Sequence, residues 1–288
     1  MTNSVLMTLD GTAHDFDAPF LAADDLAAVR GDGIFETLLV RAGRARGVRL
    51  HLERLVNSAH ALGLPEPDVD QWSSAIEAAV KTWDDGQPNG AEGLLRLVYS
   101  RGRENEPGST TAYLTVTTVP DRVMQARSEG VSVVTLERGF SVDLAEKAPW
   151  QLLGAKTLSY ATNMAALRHA AEQGFDDVIF LSSEGAVLEG PRSTVIAVTG
   201  MALVTPPTEI GILPGTTARA VFELAAQEGW STSTRVLRPA DLIAADSVWM
   251  VSSVTLAARV TALNRYVMPV SAANDEFVDL VDRAVCVD

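Results

Sequence analysis

Seven short stretches rich in β-branched and apolar residues either alternate apolar with polar positions or run apolar without interruption. They are "IFETLLV" (34–40), "LLRLVYS" (94–100), "AYLTVTTV" (112–119), "VSVVTL" (131–136), "DVIFLS" (177–182), "TVIAV" (194–198) and "SVWMVSS" (247–253), and each predicts a strand. A helical period takes over in "HLERLVNSAHALG" (51–63), where Leu52, Leu55, Val56, Ala59 and Leu62 share one face and Gly63 supplies a stop. The same spacing predicts helices over 70–83, 160–173, 217–228 and 274–285. Strands and helices follow one another in mixed order without a regular βαβ repeat, so the pattern implies an α+β fold.

The polar segment 119–130, "VPDRVMQARSEG", separates two strand-rich halves. It divides the chain into a small N-terminal α/β domain (1–120), an interdomain linker (121–130) and a larger C-terminal mixed β domain with helices (131–288). Residues 84–93 and 101–110, rich in Gly, Pro, Asn and Glu, read as surface loops. A length of 288 residues with 47% apolar content is enough to bury a core in each half.

A net charge of −14, with no basic cluster interleaved by aromatics, argues against a nucleic-acid partner. No stretch approaches the roughly 20 apolar residues that span a bilayer, and the first residues lack a basic and apolar leader, so no membrane partner and a cytoplasmic location are expected. The single cysteine, Cys286, excludes an intrachain disulfide, and His14, His51, His60 and His169 show no ligand spacing, so no metal is expected.

Arginines outnumber lysines 20 to 3, which makes each lysine informative. Lys156 lies in "GAKTLSYATNM" (154–164) among small and apolar neighbours at the expected start of a helix. Buried there, its amine would lose hydration and become a nucleophile of the Schiff-base type; exposed there, it would be an ordinary surface lysine. "SEGAVLEGPRST" (183–194) offers Glu184 and Glu189, and Glu189, next to Gly190 and Pro191, is the harder to place in solvent. If buried it requires a cationic or protonated partner. "GILPGTTARAVFELAAQEG" (211–229) opens from a Gly-Pro turn into a helix, so Gly215, Thr216 and Thr217 offer either an anion site at a positive helix end or a simple N-cap at Thr216. Arg54 sits on the helix at 51–63, where pairing with a surface carboxylate such as Asp68 is the plain alternative to a binding role.

Taken in order, "RGDGIFETLLV", "HLERL", "KTLSYATNM", "EGPRSTV", "GILPGTTARA" and "VSSVTLAARV" resemble the fold-type IV, or class IV, pyridoxal-phosphate enzymes: branched-chain aminotransferases, D-amino-acid aminotransferases and 4-amino-4-deoxychorismate lyases. The resemblance spans nearly the whole chain and implies a two-domain, D-amino-acid-aminotransferase-like fold with pyridoxal 5'-phosphate as cofactor. It implies that Lys156 binds the cofactor covalently, that Glu189 holds the pyridine nitrogen protonated, and that Arg54 with Gly215, Thr216 and Thr217 binds the phosphate. Tyr160, one helical turn beyond the lysine, resembles the tyrosine that contacts the cofactor's phenolic oxygen. Ser193 and Thr194 stand where many members have Ser-Asn, a departure that removes a side-chain amide near the cofactor. Ser252, Ser253 and Thr255 match a loop that contacts phosphate or substrate carboxylate, with Ser253 as the cofactor contact.

"GDG" before Phe35, Glu36 and Thr37 is more similar to the lyases and D-amino-acid enzymes than to branched-chain ones, which tend to carry a tyrosine and "FEG". The resemblance therefore implies a lyase converting 4-amino-4-deoxychorismate to 4-aminobenzoate and pyruvate in folate synthesis, with an amino-acid aminotransferase as the alternative. It also implies a homodimer acting on a small-molecule amino substrate. Arg96, Arg101 and Arg103 are candidates for the substrate carboxylate, with solvated surface arginines as the alternative.

Overall fold

A computed structural model of the chain describes residues 4–88 and 90–286. Asn89, within the loop expected at 84–93, and the ends of the two expected domains lie outside the described residues. The described chain forms two compact units. One takes the residues up to Pro120 together with Ala155–Tyr160, and the other takes Asp121–Gly154 and the residues from Ala161 onward.

The first unit is built on a six-stranded sheet. Its strands are β1 (Val5–Thr8), β2 (Ala13–His14), β3 (Gly33–Arg41), β4 (Arg44–Ala45), β5 (Glu92–Ser100) and β6 (Thr111–Thr118), in the order β2-β1-β6-β5-β3-β4. Its helices are α1 (Leu26–Arg30), α2 (Val48–Leu62) and α3 (Val69–Asp84). β3 pairs antiparallel with β5 from Gly33↔Ser100 to Arg41↔Glu92, and this register fixes which side chains share a face. Ile34, Leu38 and Val40 of β3, with Leu95, Leu97, Leu114 and Val116, pack on Leu52, Leu55 and Ala59 of α2 and on Trp72, Ile76 and Trp83 of α3. The helix limits follow from their ends. Asp68 caps α3 by accepting from the Gln71 N–H at 3.0 Å, and Gly63 closes α2 in the left-handed region at φ +60°.

The second unit holds an eight-stranded sheet. Its strands are β7 (Val131–Glu137), β8 (Asp177–Leu181), β9 (Thr194–Thr199), β10 (Ala202–Thr205), β11 (Ser231–Thr234), β12 (Ser247–Ser252), β13 (Leu256–Leu263) and β14 (Tyr266–Val267). The order is β11-β10-β9-β12-β13-β7-β8, with β14 paired to β13. Around them stand α4 (Asp121–Glu129), α5 (Leu144–Lys147), α6 (Ala161–Glu172), α7 (Thr216–Gln227), α8 (Pro239–Ala244) and α9 (Asn274–Cys286). Val195, Ala197, Val248, Met250, Ala258 and Val260 form its central core. Parallel pairs (β7–β8, β7–β13, β10–β11) and antiparallel pairs (β9–β12, β12–β13) coexist, as a mixed sheet in an α+β fold requires.

Two expectations need correction. Residues 121–129 are not a linker but helix α4, whose Arg127 donates to the Val254 carbonyl at 2.5 Å and ties the helix to the loop before β13. Residues 155–160 fall within the span assigned to the C-terminal domain, yet they group with the first unit because their backbone pairs with β3. No helix among the described residues is long and apolar enough to cross a membrane, and no cluster of His, Cys, Asp or Glu among them is arranged to hold a metal.

Candidate active site

The candidate residues fall into two groups, one in each unit. In the first, Lys156 is not at a helix start: α6 begins at Ala161, and the lysine lies on the extended segment before it. That segment is pinned to β3 by an antiparallel bridge between Ile34 and Thr157. The Phe35 N–H donates to the Lys156 carbonyl at 3.1 Å, and the Leu158 N–H donates to the Gly33 carbonyl at 2.8 Å. Gly33 permits this approach, since a Cβ there would sit 2.8 Å from Leu158 Cδ1 and from the Tyr99 carbonyl. On the other side, the Lys156 N–H donates to Ser58 Oγ on α2 at 3.1 Å. The backbone of the lysine is thus held by two elements of one compact unit.

The half-buried side chain ends over aromatic rings. Lys156 Nζ lies 4.5 Å from the centroid of Phe35 and 5.9 Å from that of Tyr160, and the two rings meet edge to face at 5.3 Å. Tyr160 therefore lies beside the lysine, but not one helical turn beyond it, because it too precedes α6.

Arg54 is buried, not a surface guanidinium. Its partner is Glu36 of β3: Nε donates to Oε1 at 2.8 Å and Nη2 donates to Oε2 at 2.7 Å. His51, one turn earlier on α2, brings Nδ1 to within 2.6 Å of the same Oε2. Burial alone would push the Glu36 carboxyl up, but the Arg54 charge, with hydrogen bonds from Arg54 and His51, holds it well below the usual carboxylate range. Burial pushes the His51 imidazole down, and Arg54 and Lys156 add to that against the upward pull of Glu36. The triad is thus an ionised carboxylate, a guanidinium and an imidazole kept neutral. Sequence reasoning passed over Glu36 and His51. The signal was present, since Glu36 occupies an inward position of β3 between Ile34 and Leu38, where an unpaired charge is not tolerated.

In the second unit, residues 187–189 fold back along β8, where the Phe180 N–H donates to the Glu189 carbonyl at 2.8 Å. Glu189 is half-buried, and its Oε2 accepts the Leu213 N–H at 3.2 Å, which ties it to the turn before α7. Glu184, by contrast, is exposed and bonds locally to Ser182 at 2.7 Å. After Glu189 the chain turns tightly, with the Gly190 N–H donating to the Ser193 carbonyl at 2.8 Å and Asn163 Nδ2 donating to the Pro191 carbonyl at 2.7 Å.

That turn delivers Ser193 and Thr194 toward the start of α7. Gly215, not Thr216, is the N-cap and carries no capping side chain; Thr216 and Thr217 are the first helical residues, both buried. The Thr194 side chain approaches Gly215 so closely that a Cβ there would lie 2.2 Å from Thr194 Oγ1. Thr216 Oγ1 reaches Ser253 Oγ at 3.4 Å, so the loop after β12 joins the same group. Ser252 turns away into its own loop, where its Oγ accepts the Thr255 N–H at 3.3 Å. First-turn N–H groups have no intrahelical acceptors, and with three hydroxyls converging on a glycine-lined helix start they suit a phosphate ester. Ser193 Oγ is buried without a hydrogen-bond partner among the described residues.

Of the three arginines considered for a substrate carboxylate, two are engaged. Arg101 bonds Asp32 at 2.7 Å and the Leu62 carbonyl at 2.7 Å, and Arg103 bonds Asp24 at 2.9 Å. Arg96 makes no hydrogen bond or ion pair among the described residues and is exposed. By the β3–β5 register it lies opposite Thr37 and on the sheet face that carries Phe35.

The profile described as Amino-transferase class IV matches residues 33–263. The chain belongs to this family. The class IV chain is 50% identical, over 99% of its length and 100% of the relative's, to a protein of Mycobacterium tuberculosis described as a bifunctional aminodeoxychorismate lyase / D-amino acid transaminase. Among solved structures, it matches a hypothetical aminotransferase from Mycobacterium tuberculosis in its PLP-bound form at TM-score 0.95 and 51% identity, covering 98% of each chain. It also matches a fold IV transaminase from Curtobacterium pusillum at TM-score 0.92 and 42% identity, again covering 98% of each. The fold is therefore the fold-type IV aminotransferase fold, α+β with helices around two sheets.

Proposed function

We propose that this class IV protein is a pyridoxal-phosphate enzyme that converts 4-amino-4-deoxychorismate to 4-aminobenzoate and pyruvate, and that the same residues support transamination of D-amino acids. The observation that carries the reading is Lys156, fixed through its backbone to β3 and α2 with its amine over Phe35 and Tyr160, in a chain alignable end to end with a relative that bears both names.

The residues fit the cofactor. Lys156 is the amine for its aldehyde carbon. Arg54 and the first-turn N–H groups of Thr216 and Thr217 are donors for its phosphate, with Gly215, Ser193, Thr194 and Ser253 around that helix start. Tyr160 is the partner for its phenolic oxygen. Glu189 is the carboxylate for its ring nitrogen, and the Leu213 N–H orients that carboxylate. When bound, pyridoxal phosphate supplies an electron sink for the pair left behind when a bond to the substrate's amino-bearing carbon breaks. Glu189 keeps the ring nitrogen protonated, which deepens the sink. Lys156, displaced by the substrate amine, takes the proton from the amino-bearing carbon as general base.

The two reactions part once Lys156 holds that proton. In transamination Lys156 would return the proton on the cofactor side, so that the amino group would stay with the cofactor and water would release the keto acid. In the lyase reaction the neighbouring ring carbon loses its enolpyruvyl group as pyruvate, the ring becomes aromatic, and no keto acid acceptor is consumed. Both substrate classes carry a carboxylate, and Arg96 is the exposed cation on the Phe35 face that is free to meet one. We further propose a homodimer in the cytoplasm.

The test is turnover of enzymatically prepared 4-amino-4-deoxychorismate by the purified protein alone. Equal amounts of 4-aminobenzoate and pyruvate, formed without an added keto acid, support the lyase. If neither forms while D-alanine bleaches the cofactor absorbance and 2-oxoglutarate restores it, the protein is a transaminase only.

A further inference from the structure

Glu36 is wholly buried in the core of the first unit, between Ile34 and Leu38 and across from Leu97. A buried ion pair is weak evidence for stability, since apolar residues of similar volume commonly replace one at no loss. Its presence here calls for another account. Arg54 presents a planar fork, and Glu36 takes its Nε and Nη2 together. That fixes the plane of the guanidinium and with it the direction of the Nη1 edge. His51 donates to Glu36 from the same helix face as Arg54, three residues away, so the carboxylate is held in turn. Ser58, four residues beyond Arg54 on α2, anchors the Lys156 backbone. One helix face therefore sets both the lysine and the guanidinium.

We infer that Glu36, braced by His51, is the positioning residue that aims Arg54 at the cofactor phosphate. The inference rests on the proposed phosphate role of Arg54. Glu36 does not itself touch the phosphate, whose charge it would repel; it contributes by removing the rotamer freedom that a long side chain otherwise loses on binding. The effect should therefore depend on the phosphate group and on the guanidinium, and on neither alone.

The test strips the full-length holoenzyme of cofactor and titrates it back with pyridoxal 5'-phosphate or with pyridoxal, which lacks the phosphate. The variants are Glu36→Gln, Arg54→Lys and the double variant. Glu36→Gln is expected to weaken pyridoxal phosphate about 10-fold or more and pyridoxal less than about 2-fold, while adding less than about 2-fold to Arg54→Lys. Equal weakening of both ligands, or the same loss in both arginine backgrounds, would mean a merely structural role and overturn the proposal. Weakening by Arg54→Lys beside an unchanged Glu36→Gln overturns the proposal alone. An unchanged Arg54→Lys overturns the phosphate assignment of Arg54 and the proposal with it. Should Glu36→Gln fail to fold, His51→Asn takes its place, with a smaller loss of about 3-fold selective for the phosphorylated ligand expected and no selective loss decisive against.

Discussion

Phe35 and Glu36 are neighbours on β3 and point to opposite faces of the sheet. The Phe35 ring lies under the Lys156 amine at 4.5 Å, while the Glu36 carboxylate enters the core and takes Arg54 in a two-bond fork. The alternation of a strand thus serves two purposes within two residues: one face lies against the Lys156 amine, and the other holds the Arg54 guanidinium. Any slip of β3 by one residue would exchange these faces and place a charge under the lysine.

Replacing Lys156 by Ala tests the assignment of the covalent residue. The imine absorbance near the visible edge should vanish, borohydride should no longer attach the cofactor, and turnover should fall by at least about 10²–10⁴-fold, the range for loss of a positioned general base. Mass spectrometry of the reduced wild-type protein should find the cofactor on the peptide containing Lys156. Labelling at Lys81 or Lys147 instead would refute the assignment.

Arg96 and Arg101 should separate cleanly. Arg96→Ala removes an exposed group that makes no hydrogen bond or ion pair among the described residues, so KM for the amino substrate should rise about 10- to 100-fold with the melting temperature little changed. Arg101→Ala cuts bonds to Asp32 and to the Leu62 carbonyl, so it should lower the melting temperature by a few degrees. The reverse pattern would shift carboxylate recognition to Arg101.

Much of this arrangement is written in local sequence, and the remainder depends on pairing between distant segments. The strand at 34–40, the helix at 51–63 and the helix at 217–228 come directly from periodicity, and the structure places β3, α2 and α7 there. Strand β13 (Leu256–Leu263) escaped because its alanines and Arg259 give neither alternation nor a β-branched run; β12 and β7, its neighbours, hold it in the sheet. The grouping of 155–160 with the first unit could not be read from those six residues, because β3, more than a hundred positions earlier, decides it. Glu36 was visible only as an anomaly, a charge at an inward strand position. Its partner, read as a surface arginine in one alternative, turned out to be the explanation of that anomaly.

Gly215 should tolerate no side chain while Thr194 is present. Its φ of −67° is open to any residue, so the barrier is steric alone: an added Cβ meets Thr194 Oγ1 at 2.2 Å. Gly215→Ala should cost about 1–3 kcal/mol in urea unfolding and weaken the cofactor, as overpacking does. Thr194→Ala in the same chain removes the opposing oxygen and should recover most of the stability. An additive double variant would show that the helix start is strained for another reason.

Acid should destabilise the first unit through His51 before other groups respond. Burial, Arg54 and Lys156 outweigh Glu36 and hold the folded imidazole below its ordinary value of 6.5. As pH falls through about 6.5 the unfolded chain takes up a proton that the folded chain refuses, so the unfolded state binds more protons and stability declines, by at most about 1.4 kcal/mol per pH unit. Glu36 acts in the same direction further down. Its folded pKa is depressed, so the stability it contributes is present above the ordinary value of 4.5 and is lost as pH falls below it. The check is urea unfolding of wild type and His51→Asn at intervals from about pH 8 to about pH 5, the window set by these shifts. Wild type should lose stability steadily below about pH 6.5, and the variant should be flatter over the same interval by as much as one proton's slope. Parallel curves for the two proteins would mean that His51 is charged in the folded state, and the neutral member of the triad would then have to be given up.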